Sequence, residues 1–269
     1  MRLTVVGCAG SFPGPEAATS CYLVEADDAQ DRRWRLLIDL GNGALGPLQR
    51  VVRLRELDAV LLSHLHADHC LDACGLYVVR TYDPEGRHPG RLPVHGPRGT
   101  LDRLDRAYDA RGDIGPDAPA AEDADRPSFA EVFDVREWAE GTPVRFGPVT
   151  VTAYRVRHPV ETYGLRLEHG GRVLAFSGDT DTCPALATLA RGADLLLAEA
   201  SFQEGREDAV RGVHLTGRRA GQVAAEAGAG RLLLTHIPAW TDPAVVSAEA
   251  REVFAGPVLL ALPGDVHEV

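Results

Sequence analysis

A short run of residues, Ser63-His64-Leu65-His66-Ala67-Asp68-His69, constrains this chain more than any other part of its sequence. It follows Leu57-Asp58-Ala59-Val60-Leu61-Leu62, an apolar run rich in branched residues that is typical of a buried strand. A lone histidine at a strand end is usually an ordinary hydrogen-bonded side chain. Three imidazoles and a carboxylate together are the ligand types that zinc favours, and without metal each would need its own polar partner. The sequence therefore predicts a metal site where this strand ends.

Length and pattern indicate one α/β domain covering residues 1–269. The chain is 45% hydrophobic and 25% charged, which is ordinary for a globular protein with a large core. Strand-like runs are followed by helix-like runs in both halves. Strands are expected at 3–6, 20–25, 34–39, 59–63, 92–97 (where the strand leads into a turn), 149–156, 163–168, 173–177, 194–199 and 231–235, and helices at 71–79, 184–190 and 217–227. The stretch 111–127 contains several Pro, Asp and Ala residues without periodicity, so we expect a surface loop or lid there.

Several further motifs occur in a fixed order along nearly the whole chain. They are Leu36-Leu37-Ile38-Asp39-Leu40-Gly41, then His158, then Ser177-Gly178-Asp179-Thr180, then Leu234-Thr235-His236. Together with H-x-H-x-D-H at a strand end, they resemble the metallo-β-lactamase-fold hydrolases. The opening Val5-Val6-Gly7-Cys8-Ala9-Gly10-Ser11 and the segment His214-Leu215-Thr216 resemble the ribonuclease Z-like branch and related phosphodiesterases, with closest similarity to actinobacterial atypical cyclic-nucleotide phosphodiesterases.

The resemblance implies a four-layer αββα sandwich, with two mixed sheets flanked by helices, and a site for two divalent metal ions. Zinc is the first expectation for these ions, with manganese or iron as alternatives, because His and Asp accept all three. The family pattern implies a first metal on His64, His66 and His158, a second on Asp68, His69 and His236, and Asp179 as the bridge between them. Local sequence leaves other roles open: His158 could be a strand-end histidine bonded to backbone, and Asp179 could cap a helix unless Thr180 or Asp181 does so.

Two cations that share a water lower its pKa and supply hydroxide near neutral pH, which predicts hydrolysis. Asp68 is expected to orient this nucleophile as well as to bind metal. Cleavage of a phosphodiester also requires a proton for the departing alkoxide, and His214 is the candidate general acid because the pKa of an unperturbed imidazole is near 6.5. The alternative for His214 is a surface histidine that precedes a helix. The substrate-binding residues are unknown from the sequence.

The expected substrate is a small anionic molecule, most simply a cyclic nucleotide such as cyclic AMP. A net charge of −11 argues against a nucleic-acid partner, since such binding depends on neutralising phosphates. Only 20 residues, 159–178, separate His158 from Asp179, which leaves no room for the protruding tRNA-binding arm typical of ribonuclease Z. A ribonuclease Z-like tRNA 3′ endonuclease is the main alternative, followed by a thioester, lactone or lactam hydrolase and by a non-catalytic binding module.

Other features bear on location and assembly. The five cysteines form no C-x-x-C pair, so we expect reduced thiols and no disulfide framework. The sequence moves from Met1-Arg2 directly into a strand without the features of a signal peptide, and it contains no apolar stretch long enough to span a membrane. We therefore expect a cytoplasmic protein without a membrane partner. A homodimer is implied by the resemblance alone.

Overall fold

Two seven-stranded sheets occupy the centre of the structure, a computed structural model that describes residues 1–86, 88, 90–108, 127–207 and 209–269. The predicted loop or lid at 111–127 lies outside the described residues except for its last position. The first sheet contains β1 (Arg2–Gly7), β2 (Cys21–Asp27), β3 (Arg33–Ile38), β4 (Ala59–Leu61), β5 (Leu92–Gly96), β6 (Phe133–Glu137) and β14 (Val266–Glu268). The second contains β7 (Pro143–Phe146), β8 (Val149–Arg155), β9 (Tyr163–His169), β10 (Arg172–Phe176), β11 (Leu195–Glu199), β12 (Leu232–Thr235) and β13 (Val258–Leu260).

Both sheets are mixed, and they have the same plan. The first has the order β14-β1-β2-β3-β4-β5-β6, antiparallel from β14 to β3 and parallel from β3 to β6. The second has the order β13-β12-β11-β10-β9-β8-β7, antiparallel from β7 to β10 and parallel from β10 to β13. The approximate duplication predicted from the sequence is therefore visible as two similar sheets.

Helices lie outside the sheets. Those of the first half are α1 (Leu45–Leu48), α2 (Ala67–Cys70), α3 (Ala73–Tyr82), α4 (Thr100–Tyr108) and α5 (Phe129–Val132), with a short 3-10 turn at Leu54–Glu56. Those of the second half are α6 (Pro184–Ala190), α7 (Gly217–Ala227) and α8 (Pro243–Arg251). In the described part of the chain, no helix combines the length and the apolar character that crossing a membrane would require.

Three apolar clusters hold these layers together. The central cluster joins the two sheets and includes Tyr22 of β2 and Phe176 of β10, whose ring centroids lie 5.5 Å apart. A second cluster joins the first sheet to α1–α5, and a third joins the second sheet to α6–α8. Each fully buried Leu in such a cluster contributes about 1.5–3 kcal/mol relative to an exposed one. The predicted four-layer αββα sandwich is confirmed.

The Ala-rich helix α7 packs unusually close to α8 because it carries glycine on the contact face. A Cβ atom at Gly217 would lie 2.0 Å from the carbonyl oxygen of Val246, and one at Gly221 would lie 2.7 Å from that of Ala250. This close approach explains how a helix with few large apolar residues is held in place.

The carboxyl ends of the parallel strands all point to one rim of the sandwich. Strands β3 and β4 of the first sheet and β10, β11 and β12 of the second end there, and each has a polar residue at its last position or within the next two. Loops at such an edge can carry function without disturbing the core. The rim therefore collects, in one place, residues that are far apart in sequence.

Candidate metal centre

The seven predicted metal ligands come together at this rim in two overlapping groups. One group contains His64, His66, His158 and Asp179, and the other contains Asp68, His69, Asp179 and His236. Within each group the candidate ligand atoms all lie within 4.8 Å of one another. The division between the groups is the one that the family pattern implied, and Asp179 belongs to both.

Nitrogen and oxygen atoms face one another across each group. The Nε2 atom of His64 lies 2.9 Å from Nδ1 of His66, and Nε2 of His69 lies 3.1 Å from Nε2 of His236. Oδ2 of Asp179 lies 3.7 Å from Nε2 of His64, whereas its Oδ1 lies 3.4 Å from Nε2 of His69. The two oxygens of one carboxylate therefore face different groups, as a bridging ligand requires.

A second layer of contacts turns the imidazoles toward this space. The Nδ1 atom of His69 donates to Oδ2 of Asp39 at 2.7 Å, and Nδ1 of His158 donates to the carbonyl oxygen of Val213 at 2.9 Å. Nδ1 of His236 lies 2.8 Å from the hydroxyl of Ser201. In each case the Nε2 atom of the same ring is left free to face the candidate ligand groups, which is the usual arrangement of metal-binding histidines. The donor set thus fits divalent metal ions.

Short elements and unusual backbone set the positions of these side chains. Strand β4 ends at Leu61, and the chain then enters α2, which places Asp68 and His69 on adjacent positions of one turn. His236 directly follows β12 and has a φ of 57°, in the left-handed region that non-glycine residues rarely occupy. Such strain persists where the surroundings enforce it and is frequent at functional sites.

The electrostatics favour neutral imidazoles at His64, His66 and His158 and charged carboxylates at Asp68 and Asp179. Burial lowers the pKa of His64, His66 and His158, so their lone pairs are free at neutral pH. Burial alone would raise the pKa of Asp68 and Asp179, but the neighbouring His69 and His236 lower it below the usual range. Burial opposes protonation of His69, yet the charges of Asp179 and Asp39 raise its pKa well above the ordinary value.

His214, the predicted general acid, lies beside both groups. Its ring centroid is 5.3 Å from that of His158 and 5.6 Å from that of His236. Its Nδ1 atom donates to Oε1 of Glu199 at 2.9 Å. Burial lowers the pKa of His214, but the charge and hydrogen bond of Glu199 outweigh this effect and raise it to about 9. Glu199, His214 and His236 also form a third group of closely spaced ligand types.

Three buried polar residues that support the site were not assigned roles from the sequence. They are Asp39, Glu199 and Ser201, all with at most 3% of their surface exposed. Asp39 accepts hydrogen bonds from the backbone N–H of Ser63 at 2.7 Å and from the hydroxyl of Ser20 at 2.8 Å, besides that from His69. The sequence feature that could have indicated Asp39 and Glu199 is a single acidic residue at the end of an apolar run, at Leu36–Asp39 and again at Leu195–Glu199.

Comparison with known proteins agrees with this geometry. The family description "Beta-lactamase superfamily domain" matches residues 34–237, which include all seven candidate ligands. The chain belongs to this superfamily. Its neighbours place it among the metallo-β-lactamase-fold hydrolases of the ribonuclease Z and phosphodiesterase branch, as the sequence motifs predicted.

Several relatives match this superfamily member over its whole length. "Uncharacterized protein ML1173" of Mycobacterium leprae is 42% identical, covering 100% of this chain and 89% of the relative. "Probable metallo-hydrolase YhfI" of Bacillus subtilis is 32% identical over 100% of both chains, and a crystal structure of YhfI has a TM-score of 0.82 with 99% of both chains covered. A "Ribonuclease Z" of Myxococcus xanthus is 32% identical, covering 100% of this chain and 98% of the relative.

Proposed function

We propose that this protein is a phosphodiesterase that depends on two divalent metal ions and hydrolyses a small cyclic nucleotide. The observation that carries this proposal is the His214–Glu199 pair, which adds a half-buried imidazole, hydrogen-bonded to a buried carboxylate, beside the two ligand groups. A ring-opening phosphodiester hydrolysis releases a sugar alkoxide, which needs a proton as it departs. Hydrolysis of a thioester or a lactone with a good leaving group has much less need for such a donor.

In this proposal, His64, His66 and His158 would hold one metal ion, Asp68, His69 and His236 would hold the other, and Asp179 would contribute to both sites. Zinc suits this donor set best, and manganese or iron would also be accepted. Bound divalent ions would supply Lewis acidity toward phosphate oxygens and lower the pKa of water.

The residues of the chain then have distinct roles. Asp68, whose Oδ2 lies 3.1 Å from Nε2 of His236, orients the attacking water from the side of the second group. His214 holds its ring through Nδ1 on Glu199, so that Nε2 carries the proton for the leaving oxygen. Glu199 is itself fixed because its carboxylate accepts from the backbone N–H of Thr180 at 2.7 Å and of Ser201 at 3.2 Å.

The preference for a small substrate rests on what lies between His158 and Asp179. Strands β9 and β10 fill this interval and pair with each other through a tight turn at Gly170 and Gly171. They belong to the second sheet, so they do not form a protruding arm that could hold tRNA. The net charge of −11 also disfavours a polyanionic partner, while a site with two cations would still attract a small anion.

Ribonuclease Z-like cleavage of tRNA is the second candidate, because a ribonuclease Z is 32% identical to this chain over its whole length. The experiment compares substrates directly. Purified protein with added Zn²⁺ or Mn²⁺ is tested against cyclic AMP, bis(p-nitrophenyl) phosphate, unprocessed tRNA and a panel of thioesters and lactones. We expect cleavage of the first two. Cleavage of thioesters or lactones alone would contradict the proposal, and cleavage of tRNA in preference to cyclic AMP would favour the second candidate.

We also propose a cytoplasmic location and a homodimeric assembly. All five cysteines are free thiols in the structure, which is consistent with a reducing compartment. The homodimer rests on the family resemblance, and light scattering coupled to size-exclusion chromatography tests it directly. Elution at the mass of a single 28.9 kDa chain would contradict it.

A further inference from the structure

We infer that Asp181 is a positioning residue, which fixes the segment carrying His214 and the backbone carbonyl that orients His158. This inference rests on the proposed function for its kinetic consequence. The sequence offered Asp181 only as a possible helix cap, and it is not one of the seven ligands. Its side chain is completely buried, which is costly for a carboxylate unless several donors compensate.

The segment that precedes His214 supplies both donors to one oxygen of this carboxylate. Oδ2 of Asp181 accepts from the backbone N–H of Gly212 at 2.7 Å and from Nε of Arg211 at 2.8 Å. Oδ1 accepts from the backbone N–H of Thr182 at 2.7 Å. Arg211 also donates through Nη2 to the hydroxyl of Thr182 at 2.9 Å, which closes a ring of contacts around the carboxylate. The contacts hold residues 211 and 212 against the loop that follows β10.

This attachment immediately precedes two groups that matter at the site. Val213 follows Gly212 and supplies the carbonyl oxygen that accepts from Nδ1 of His158 at 2.9 Å. His214 is the next residue. Gly212 itself has a φ of 81°, so the backbone bends sharply where it is bonded to Asp181. This bend directs Val213 and His214 toward the candidate ligand groups.

Asp181 is tied to the chain on the other side of His158 as well. Its backbone N–H donates to the carbonyl oxygen of Arg157 at 2.9 Å, and the backbone N–H of Arg157 donates to the hydroxyl of Thr180 at 3.1 Å. One short segment, residues 179–182, therefore carries a bridging carboxylate, supports the backbone before His158 and holds the segment before His214. Releasing the Asp181 side chain would free the last of these while leaving Asp179 in the chain.

Asp181 acts through the backbone rather than by touching the reacting atoms. A displacement of a catalytic group by about 1 Å can cost about 100-fold in rate. We therefore expect Asp181→Ala to reduce catalysis mainly where the proton from His214 is needed. The effect should appear in kcat, because the contacts of Asp181 are with the chain and not with a substrate.

The test uses the full chain with Asp181→Ala and the milder Asp181→Asn, and Asp194→Ala is the matched control. Asp194, like Asp181, bonds both to backbone N–H and to arginine, in its case to Val173 at 2.8 Å and Arg172 at 2.6 Å. It precedes β11 and so lies at the opposite end of the sheet. Thermal unfolding identifies any variant that fails to fold. If Asp181→Ala does not fold, the same measurements are made on Asp181→Asn and Arg211→Met.

The first measurement is amide hydrogen exchange of peptides covering residues 209–216, without substrate. We expect at least tenfold faster exchange of this segment in Asp181→Ala than in the wild type, and no change there in Asp194→Ala. The second is the affinity for Zn²⁺ in competition with a chromogenic chelator. We expect a several-fold loss for Asp181→Ala because His158 loses its fixed partner. Unchanged exchange of residues 209–216 would overturn the inference whatever the protein hydrolyses.

The third measurement compares leaving groups. We expect kcat for cyclic AMP to fall at least tenfold more than kcat for bis(p-nitrophenyl) phosphate, whose phenolate departs without a proton. Adding Asp181→Ala to His214→Ala should lower kcat little further. Equal losses on both substrates, or fully additive losses in the double variant, would overturn the positioning role. If the wild type cleaves neither substrate, the proposed function fails, and exchange together with zinc affinity still decides the inference.

Discussion

The Nδ1 atom of His214 lies 2.9 Å from Oε1 of Glu199, and only 1% of the surface of Glu199 is exposed. The two residues come from different elements: Glu199 closes strand β11, whereas His214 lies in the segment before α7. A buried carboxylate on one ring nitrogen fixes both the tautomer and the direction of the imidazole. The other nitrogen is then available to a ligand at the rim.

The first prediction concerns His214→Ala. We expect this variant to lower kcat for cyclic AMP by about 10²–10⁴-fold, because the departing alkoxide loses its proton donor. Cleavage of bis(p-nitrophenyl) phosphate should fall much less. Steady-state kinetics on the two substrates at saturating metal measure the difference between them.

The matched control for this variant is His169→Ala. His169 is half-buried like His214, but it ends β9, which runs antiparallel to β10, and so it lies at the end of the second sheet remote from the candidate ligands. The His169→Ala variant should retain wild-type kinetics on both substrates. A His214→Ala enzyme that cleaves cyclic AMP as fast as the His169→Ala control would remove the general-acid role.

The sequence predicted the ligands well because they are compressed into recognisable local motifs. Four of the seven lie within His64–His69, and the others follow apolar runs that became β10 and β12 or precede a proline, as His158 does. The αββα layering came from the resemblance, since periodicity alone indicated only α/β. The helix at 217–227 was predicted from propensity and is confirmed as α7.

What the sequence could not predict depends on contacts between distant segments. Strands β7, β13 and β14 at the sheet edges have only three or four residues each, too few for a clear alternation of apolar and polar positions. The role of Asp39 depends on Ser20, Ser63 and His69, which lie 19, 24 and 30 residues away. No local pattern announces that these donors converge on one carboxylate.

The second prediction follows from that convergence. Asp39→Asn keeps the shape of the side chain but removes the charge that Nδ1 of His69 faces at 2.7 Å. Loss of such an outer partner typically lowers metal affinity by about 10–100-fold. We expect a loss of this size for Zn²⁺, measured by competition with a chromogenic chelator.

Asp58→Asn is the control for Asp39→Asn. Like Asp39, Asp58 accepts a hydrogen bond from a backbone N–H, and its donor is Arg35 of β3 at 2.8 Å. Asp58 precedes β4, so it lies at the end of the sheet remote from the candidate ligands. The zinc affinity of the Asp58→Asn variant should equal that of the wild type. Equal losses in the two variants would mean that Asp39 stabilises the sheet rather than the orientation of His69.

The third prediction concerns removal of metal. A ligand that binds only the folded state stabilises it by about 2.7 kcal/mol when present at 100 times its Kd. We therefore expect chelation to abolish hydrolysis and to lower the unfolding temperature, and added Zn²⁺ or Mn²⁺ to restore both. The double variant His64→Ala, Asp68→Ala removes one ligand from each group, and its unfolding temperature should respond little to metal. An equal response in this variant would locate the stabilising metal elsewhere.

The last prediction concerns His95, a buried histidine outside the candidate metal centre. Its ring lies 5.0 Å from the rings of both Trp138 and Phe146, and its Nδ1 atom has no hydrogen-bond partner in the described structure. Burial, with a smaller contribution from Arg136, lowers its pKa to about 4. In the unfolded chain the pKa returns to about 6.5.

Above about pH 6.5, His95 is neutral in both the folded and the unfolded state, so its titration costs no stability there. As the pH falls from about 6.5 to about 4, only the unfolded state becomes protonated at this site, and the free energy of unfolding decreases. His95→Gln lacks this titration. We expect the free energy of unfolding of the wild type, relative to that of His95→Gln, to fall by about 1–2 kcal/mol between pH 7 and pH 5, measured in urea on metal-free protein. A difference that stays constant over this range would show that His95 titrates normally in the folded protein.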